Sequence, residues 1–180
     1  MQRHELEHLI RAAAQITDEY EFVVLGSQSI LGSVQNPPAE CVMSNEADIF
    51  PMNAEEKSDL IDGAIGEGSH FHDTHGYYAQ GVDSRTAVLP IGWRERLTRL
   101  QSEGTDGRVA YCLDALDLFL SKCAANREKD RVFNKALMTH GYISMQAALA
   151  RLADMPVSDK HKAAMAALIE RLAMEAKNSN

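Results

Sequence analysis

Apolar positions along the first half of the chain fall into short groups with different spacings. Over residues 4–16, Leu6, Leu9, Ile10, Ala13 and Ile16 recur at helical spacing, which predicts an amphipathic helix closed by Asp18-Glu19. Phe22 to Leu25 is a continuous run with two valines, the pattern of a buried strand, and Gly26 bounds it. Ser27 suits the N-cap of a helix holding Ile30 and Leu31, and Gly32, Asn36, Pro37 and Pro38 end that helix in a loop. A second strand is predicted over 46–50, stopped by Pro51. Its alternation puts Glu46 and Asp48 on one face and Ala47 and Ile49 on the other.

Asn53 is placed to cap a further helix, with Glu55 and Glu56 in its first turn and Leu60, Ile61, Ala64 and Ile65 on its apolar face. Residues 70–75 read as a histidine-rich loop between glycines. The aromatic and β-branched run over 76–90, broken near Asp83-Ser84, reads as one bent strand or a hairpin. A second pair of strands is expected within 93–100 and 108–112, with 94–97 equally open to a helix. From Asp114 the texture changes: alanine rises, β-branched residues thin out, and helices are predicted near 114–126, 128–139, 144–153 and 158–177. The expected architecture is α/β (α+β): a small mixed sheet with flanking helices over 1–112, then a C-terminal helical bundle over 113–180 packed on it.

Composition narrows the classes. The 180 residues are 45% hydrophobic and 24% charged, enough for a sizeable core without metal or disulfide staples. A net charge of −8 gives no expectation of avid non-specific nucleic-acid binding, although a local basic patch stays open. Cys41, Cys112 and Cys123 are far apart, and the apolar context of Cys112 and Cys123 predicts buried thiols in a reducing compartment. No CxxC occurs, which argues against a cysteine-built zinc site. The polar N-terminus and the lack of any apolar run of bilayer length predict a cytoplasmic protein with no membrane partner.

Two local patterns carry chemistry. Two carboxylates aimed into one space are costly unless a cation sits between them, and a hard cation such as Mg²⁺ takes oxygen ligands of this kind. The plain structural alternative is a pair of surface acids on an edge strand. Gly26-Ser27, a strand end turning into a helix, offers free N–H groups that favour a phosphate. A phosphate cradle beside a paired-carboxylate site suits nucleotide chemistry.

Leu25-Gly26-Ser27 followed by Glu46-Ala47-Asp48 resembles the signature of the DNA polymerase β-like nucleotidyltransferase superfamily: an apolar residue, Gly-Ser, then two acids separated by one apolar residue. The segment from Asp117 to Asp130, with Lys122, Arg127 and Asp130, resembles the helical segment of AbiEii-type and related minimal nucleotidyltransferases of bacterial origin. The resemblance implies a nucleotidyltransferase-like sheet, with Gly26 and Ser27 holding nucleotide phosphates and Glu46 and Asp48 holding Mg²⁺, or Mn²⁺ in its place. It also implies that Lys122 and Arg127 contact the nucleotide and that Asp130 organises the site. A third acid often completes such sites from a neighbouring strand; Asp83 is the candidate, with a turn role as its alternative. Read without the resemblance, Lys122 is a solvated lysine off the apolar face of its helix, and Arg127 and Asp130 are an ion pair three residues apart on a continuing helix.

His70, His72, His75 and Asp73 have metal-ligand types, against the simpler reading of a solvated or substrate-facing loop. Trp93 reads as a hydrophobic anchor. Tyr77 and Tyr78 divide between core and pocket edge, Tyr77 being a candidate to stack on a base. The function implied is Mg²⁺-dependent transfer of a nucleotidyl group from a nucleoside triphosphate to an RNA, such as a tRNA end, or to a protein hydroxyl, in the manner of toxin–antitoxin components with a toxin or antitoxin partner. The alternative is an inactive protein of the same fold that binds nucleotide or a partner.

Overall fold

The computed structural model describes residues 1–178; the last two residues of the expected 113–180 region lie outside it. Helix α1 (Arg3–Thr17) buries Leu6, Leu9, Ile10, Ala13 and Ala14 along one face and ends where Asp18 turns left-handed at φ 55°. Strand β1 (Glu21–Leu25) follows, with Phe22 to Leu25 buried. It pairs on one side with β2 (Glu46–Pro51), antiparallel, and on the other with β5 (Val109–Cys112), parallel. A continuous apolar run befits a central strand covered on both faces.

Strand β3 (Tyr78–Gly81) runs parallel to β2 at one edge, and β4 (Thr98–Leu100) runs antiparallel to β5 at the other. The sheet order is β3-β2-β1-β5-β4. Between β1 and β2 a 3₁₀ turn over Ser27–Ser29 leads into the single-turn helix α2 (Ile30–Ser33). That helix lies so close to β5 that a Cβ on Gly32 would come within 2.3 Å of Cys112 Sγ. Helix α3 (Ser58–Ile65) packs against α1, β2 and β3.

Four helices complete the described residues: α5 (Ala115–Ala125), α6 (Glu128–Thr139), α7 (Met145–Arg151) and α8 (Asp159–Lys177). They match the predicted helices to within a few residues because each start carries a signal: Asp114 and Ser158, for example, accept backbone N–H bonds as N-caps. Helix α5 packs on α6, α7 and α8 and also touches α2 and the 27–29 turn, so it joins the bundle to the sheet.

The middle of the chain departs from expectation. Residues His70–His75 form a short helix, α4, rather than a loop, because Ser69 accepts a bond from His72 N and Gly76 closes the helix at φ 77°. Of the 76–90 run only Tyr78–Gly81 is strand; Asp83 then folds the chain by accepting from Arg85 N. Residues Trp93–Arg96 are a 3₁₀ turn, so the strand ahead of β5 is only Thr98–Leu100. Asn53 caps no helix: its amide bonds Glu21, and α3 begins after a 3₁₀ turn at Glu55–Lys57. Among the described residues no helix is long and apolar enough to cross a membrane.

Candidate active site

The C-terminal end of β1 and the first half of β2 meet over a cavity of about 410 Å³. Gly26, Ser27, Glu46, Asp48, Lys122 and Arg127 all line it. The turn after β1 favours glycine strongly. Gly26 has φ 59° and ψ −164°, and a Cβ there would lie 1.8 Å from Oδ2 of Asp48. The strand end and the acid are therefore packed directly against each other.

On β2 the alternation holds as expected. Ala47 and Ile49 are fully buried, whereas Glu46 and Asp48 are half-buried and face the cavity. Burial, with the like charge of Glu46 adding to it, pushes the Asp48 carboxyl up to about 6. Lys122, Lys129 and Arg127 pull the other way without cancelling it.

The opposite wall comes from the α5–α6 junction. Helix α5 ends at Asn126 in left-handed conformation, φ 51°, so Arg127 and Asp130 do not continue it; they are the N-cap and third residue of α6. Asp130 is fully buried and its carboxylate is wrapped by donors: Lys122 Nζ at 2.9 Å, Arg127 Nε at 2.7 Å and Arg127 N at 3.2 Å. Burial opposes its charge, but the hydrogen bonds from Arg127 and Lys122 hold the carboxyl below its usual value.

The solvated reading of Lys122 is corrected: it is only 6% exposed. Helix α5 is covered on more than one side, so a position off its apolar stripe is still interior. Its ammonium donates to Ser27 Oγ at 2.9 Å as well as to Asp130, and sits 4.4 Å from the centre of the Phe133 ring. Burial lowers the Lys122 pKa, and the bond to Asp130 resists that shift. The outcome is a cation chain on one wall, with Lys122 inside and Arg127 and Lys129 at the solvent edge, facing two acids on the floor.

Asp83 is not brought to this cavity. Its carboxylate pairs with Arg85 at 2.8 Å in an exposed turn, the alternative weighed for it. The cavity-facing residue across from Asp48 on β3 is Gln80, which the sequence reasoning missed. Tyr78, directly across from Glu46, donates its hydroxyl to Glu46 Oε2 at 3.3 Å. Burial first, and then Glu46, push the Tyr78 phenol up to about 12. Tyr77 lies elsewhere, in a ring cluster with His8, Phe71 and His75, its hydroxyl 2.8 Å from His8 Nδ1. The histidine helix gathers no metal set: among the described residues no three His, Cys, Asp or Glu side chains are grouped to hold an ion.

A further acid, outside the cavity, braces its wall. Asp117, on α5, is fully buried between Arg96 Nε at 2.8 Å and Arg151 Nη1 at 2.6 Å. Arg96 also holds the Ile91 carbonyl, so this strut anchors the connection whose Thr86, Ala87 and Val88 line the cavity.

No curated protein and no solved structure matches the chain significantly. A protein-family comparison does match, over residues 4–175, and so spans sheet, cavity and helical region together. The chain belongs to the family described as nucleotidyltransferase of unknown function (DUF6036).

Proposed function

We propose that the protein is a Mg²⁺-dependent nucleotidyltransferase that moves a nucleotidyl group from a nucleoside triphosphate to a hydroxyl of an RNA, a tRNA end included, or of a protein. The observation that carries this reading is the convergence on one cavity of two same-face carboxylates with Ser27, Lys122 and Arg127, drawn from parts of the chain up to a hundred residues apart. Glu46 and Asp48 are the residues that would hold Mg²⁺, or Mn²⁺ in its place. The donor set fits, being all oxygen with only two protein carboxylates, which leaves positions for phosphate and water oxygens. The ion, when bound, supplies Lewis-acid polarisation of phosphoryl oxygens.

The chain's own residues do the rest. The Gly26-Ser27 turn and the Ser27 hydroxyl hold the outer phosphates, with Arg127 at the mouth. Lys122 lies against Ser27, where its buried charge offsets the negative charge that develops on the leaving pyrophosphate. Asp130 is a positioning residue that fixes Lys122 and Arg127 together. Reducing, cytoplasmic surroundings suit the three buried thiols, and a toxin–antitoxin role with a protein partner belongs to the same proposal.

One observation favours the second reading, a nucleotide- or partner-binding module without transfer. Gln80, not an acid, stands across from Asp48, and among the described residues the cavity lining holds no third carboxylate to take the acceptor proton. Incubation with each labelled triphosphate, Mg²⁺ and either total RNA or lysate protein separates the two. Wild type is expected to label one acceptor pool, and Asp48→Ala to label it about 10²–10³-fold more slowly. Equal labelling by both proteins ends the catalytic assignment, and Mg²⁺-dependent triphosphate binding without labelling favours the module.

A further inference from the structure

Glu46 and Asp48 share a face but are held by different means. Asp48 is pressed against the backbone of Gly26. Glu46 stands at the first residue of β2, half-buried, and its carboxylate is steadied from the neighbouring strand, where Tyr78 donates to Oε2 at 3.3 Å. The two residues are direct partners in the parallel β2–β3 ladder, so both side chains leave the sheet on the same face. Tyr78 is buttressed in turn. The His72 ring of α4 packs 4.6 Å from it at 52°, and His72 Nδ1 accepts from Gly68 N at 3.0 Å. A line of contacts thus runs from the turn before α4, through two rings, to one oxygen of Glu46.

A glutamate at a strand end has three rotatable bonds, and fixing it costs up to about 2 kcal/mol of side-chain entropy. A donor on one oxygen removes much of that freedom before any ligand arrives, while the other oxygen stays available. We propose that Tyr78 is a positioning residue that aims the Glu46 carboxylate at a divalent cation shared with Asp48, with His72 keeping the phenol in place. This rests on the metal-dependent reading given above. It adds a residue that no sequence motif singled out and assigns the histidine helix a use: α4 supports the metal-facing acid from behind and contributes no ligand. Hydrogen bonds to ligating groups from outside their first contacts are ordinarily worth about 10–100-fold in metal affinity.

Tyr78→Phe removes the hydroxyl and keeps the ring against His72. Mn²⁺ binding is measured by electron paramagnetic resonance in the presence of a non-hydrolysable triphosphate analogue, and analogue binding is measured separately without metal. Tyr78→Phe is expected to weaken Mn²⁺ binding by about tenfold, with metal-free analogue binding and melting temperature unchanged. In transfer assays kcat falls while KM for the acceptor holds. His72→Phe, which keeps a ring behind Tyr78, should retain wild-type Mn²⁺ affinity, and His72→Ala should lose part of it. Wild type that binds Mn²⁺ while Tyr78→Phe binds it within twofold as well overturns the role of Tyr78 alone. Wild type that binds no Mn²⁺ with the analogue overturns the metal-dependent reading and this inference together.

Discussion

At the scale of single residues, Gly26 and Asp48 form one unit. Gly26 occupies a backbone region open almost only to glycine, and any side chain there collides with the Asp48 carboxylate. Gly26→Ala should therefore lose about 1–3 kcal/mol of stability in urea titrations and, separately, Mg²⁺ response, because Asp48 must move. Asp48 itself makes a pH prediction for the metal-free protein. Its carboxyl titrates at about 6 in the fold against 3.8 ordinarily, so the folded state holds the proton more tightly than the unfolded chain. Stability from this group is complete below the ordinary value and is lost as pH rises through about 6. Asp48→Asn, measured in chelator, should be more stable than wild type by about 1–3 kcal/mol at about pH 7 and close to it at about pH 3. A gap that does not widen with pH contradicts the buried like-charge account.

These two residues were legible in the sequence because their signals are local: an apolar run cut by Gly-Ser, and acids at period two. Gln80 was not, and Tyr78 was legible only as one of two tyrosines divided between core and pocket edge, since their value depends on which residues of β2 they face, and pairing register is a long-range property. Lys122 was half legible. Its place on α5 could be read, but its burial depends on helices that pack on sides the periodicity marks as polar.

At the scale of elements, the break between α5 and α6 matters as much as either helix. A continuous helix would rotate Asp130 away from Lys122; the left-handed turn at Asn126 instead starts α6 with Arg127 and Asp130 beside the end of α5. The ion pair expected from the spacing is present, with Arg127 Nε 2.7 Å from Asp130, but it stands at the N-terminus of α6, where Asp130 also accepts from Arg127 N, and not along a helix continued from α5. The 82–97 connection was misjudged for a related reason. Its β-branched content suggests strands, but its bonds run to other elements: Arg96 to Asp117 of α5, Ser84 and Arg94 to Glu55, and Ile91 N to the Asp154 carbonyl. Asp117→Ala leaves Arg96 and Arg151 without their shared carboxylate and should cost about 3–5 kcal/mol in chemical denaturation. Asp117→Asn should fall between that variant and wild type.

At the scale of the molecule, charge is unevenly spread. The chain as a whole is −8, yet the cavity wall built by α5 and α6 is cationic, so the triphosphate of the proposed reaction would meet general repulsion and local attraction. Lys129 is exposed at that edge and should act mainly at a distance. Lys129→Gln is expected to weaken triphosphate binding at low ionic strength, with the difference from wild type fading as the Debye length falls to about 10 Å at 0.1 M salt. A difference that persists unchanged in high salt would instead mark a direct contact.

The hydrogen bond from Lys122 to Ser27 joins residues 95 apart in the chain, and it sets an order in time. A ribosome releases the strand bearing both acids long before the helices bearing the cations, roughly ten seconds earlier at ordinary elongation rates. During that interval the two carboxylates stand together without the lysine and arginine that later face them. A nascent chain halted before Asp130 therefore lacks part of the proposed phosphate grip, which is complete only once α5 and the start of α6 are made.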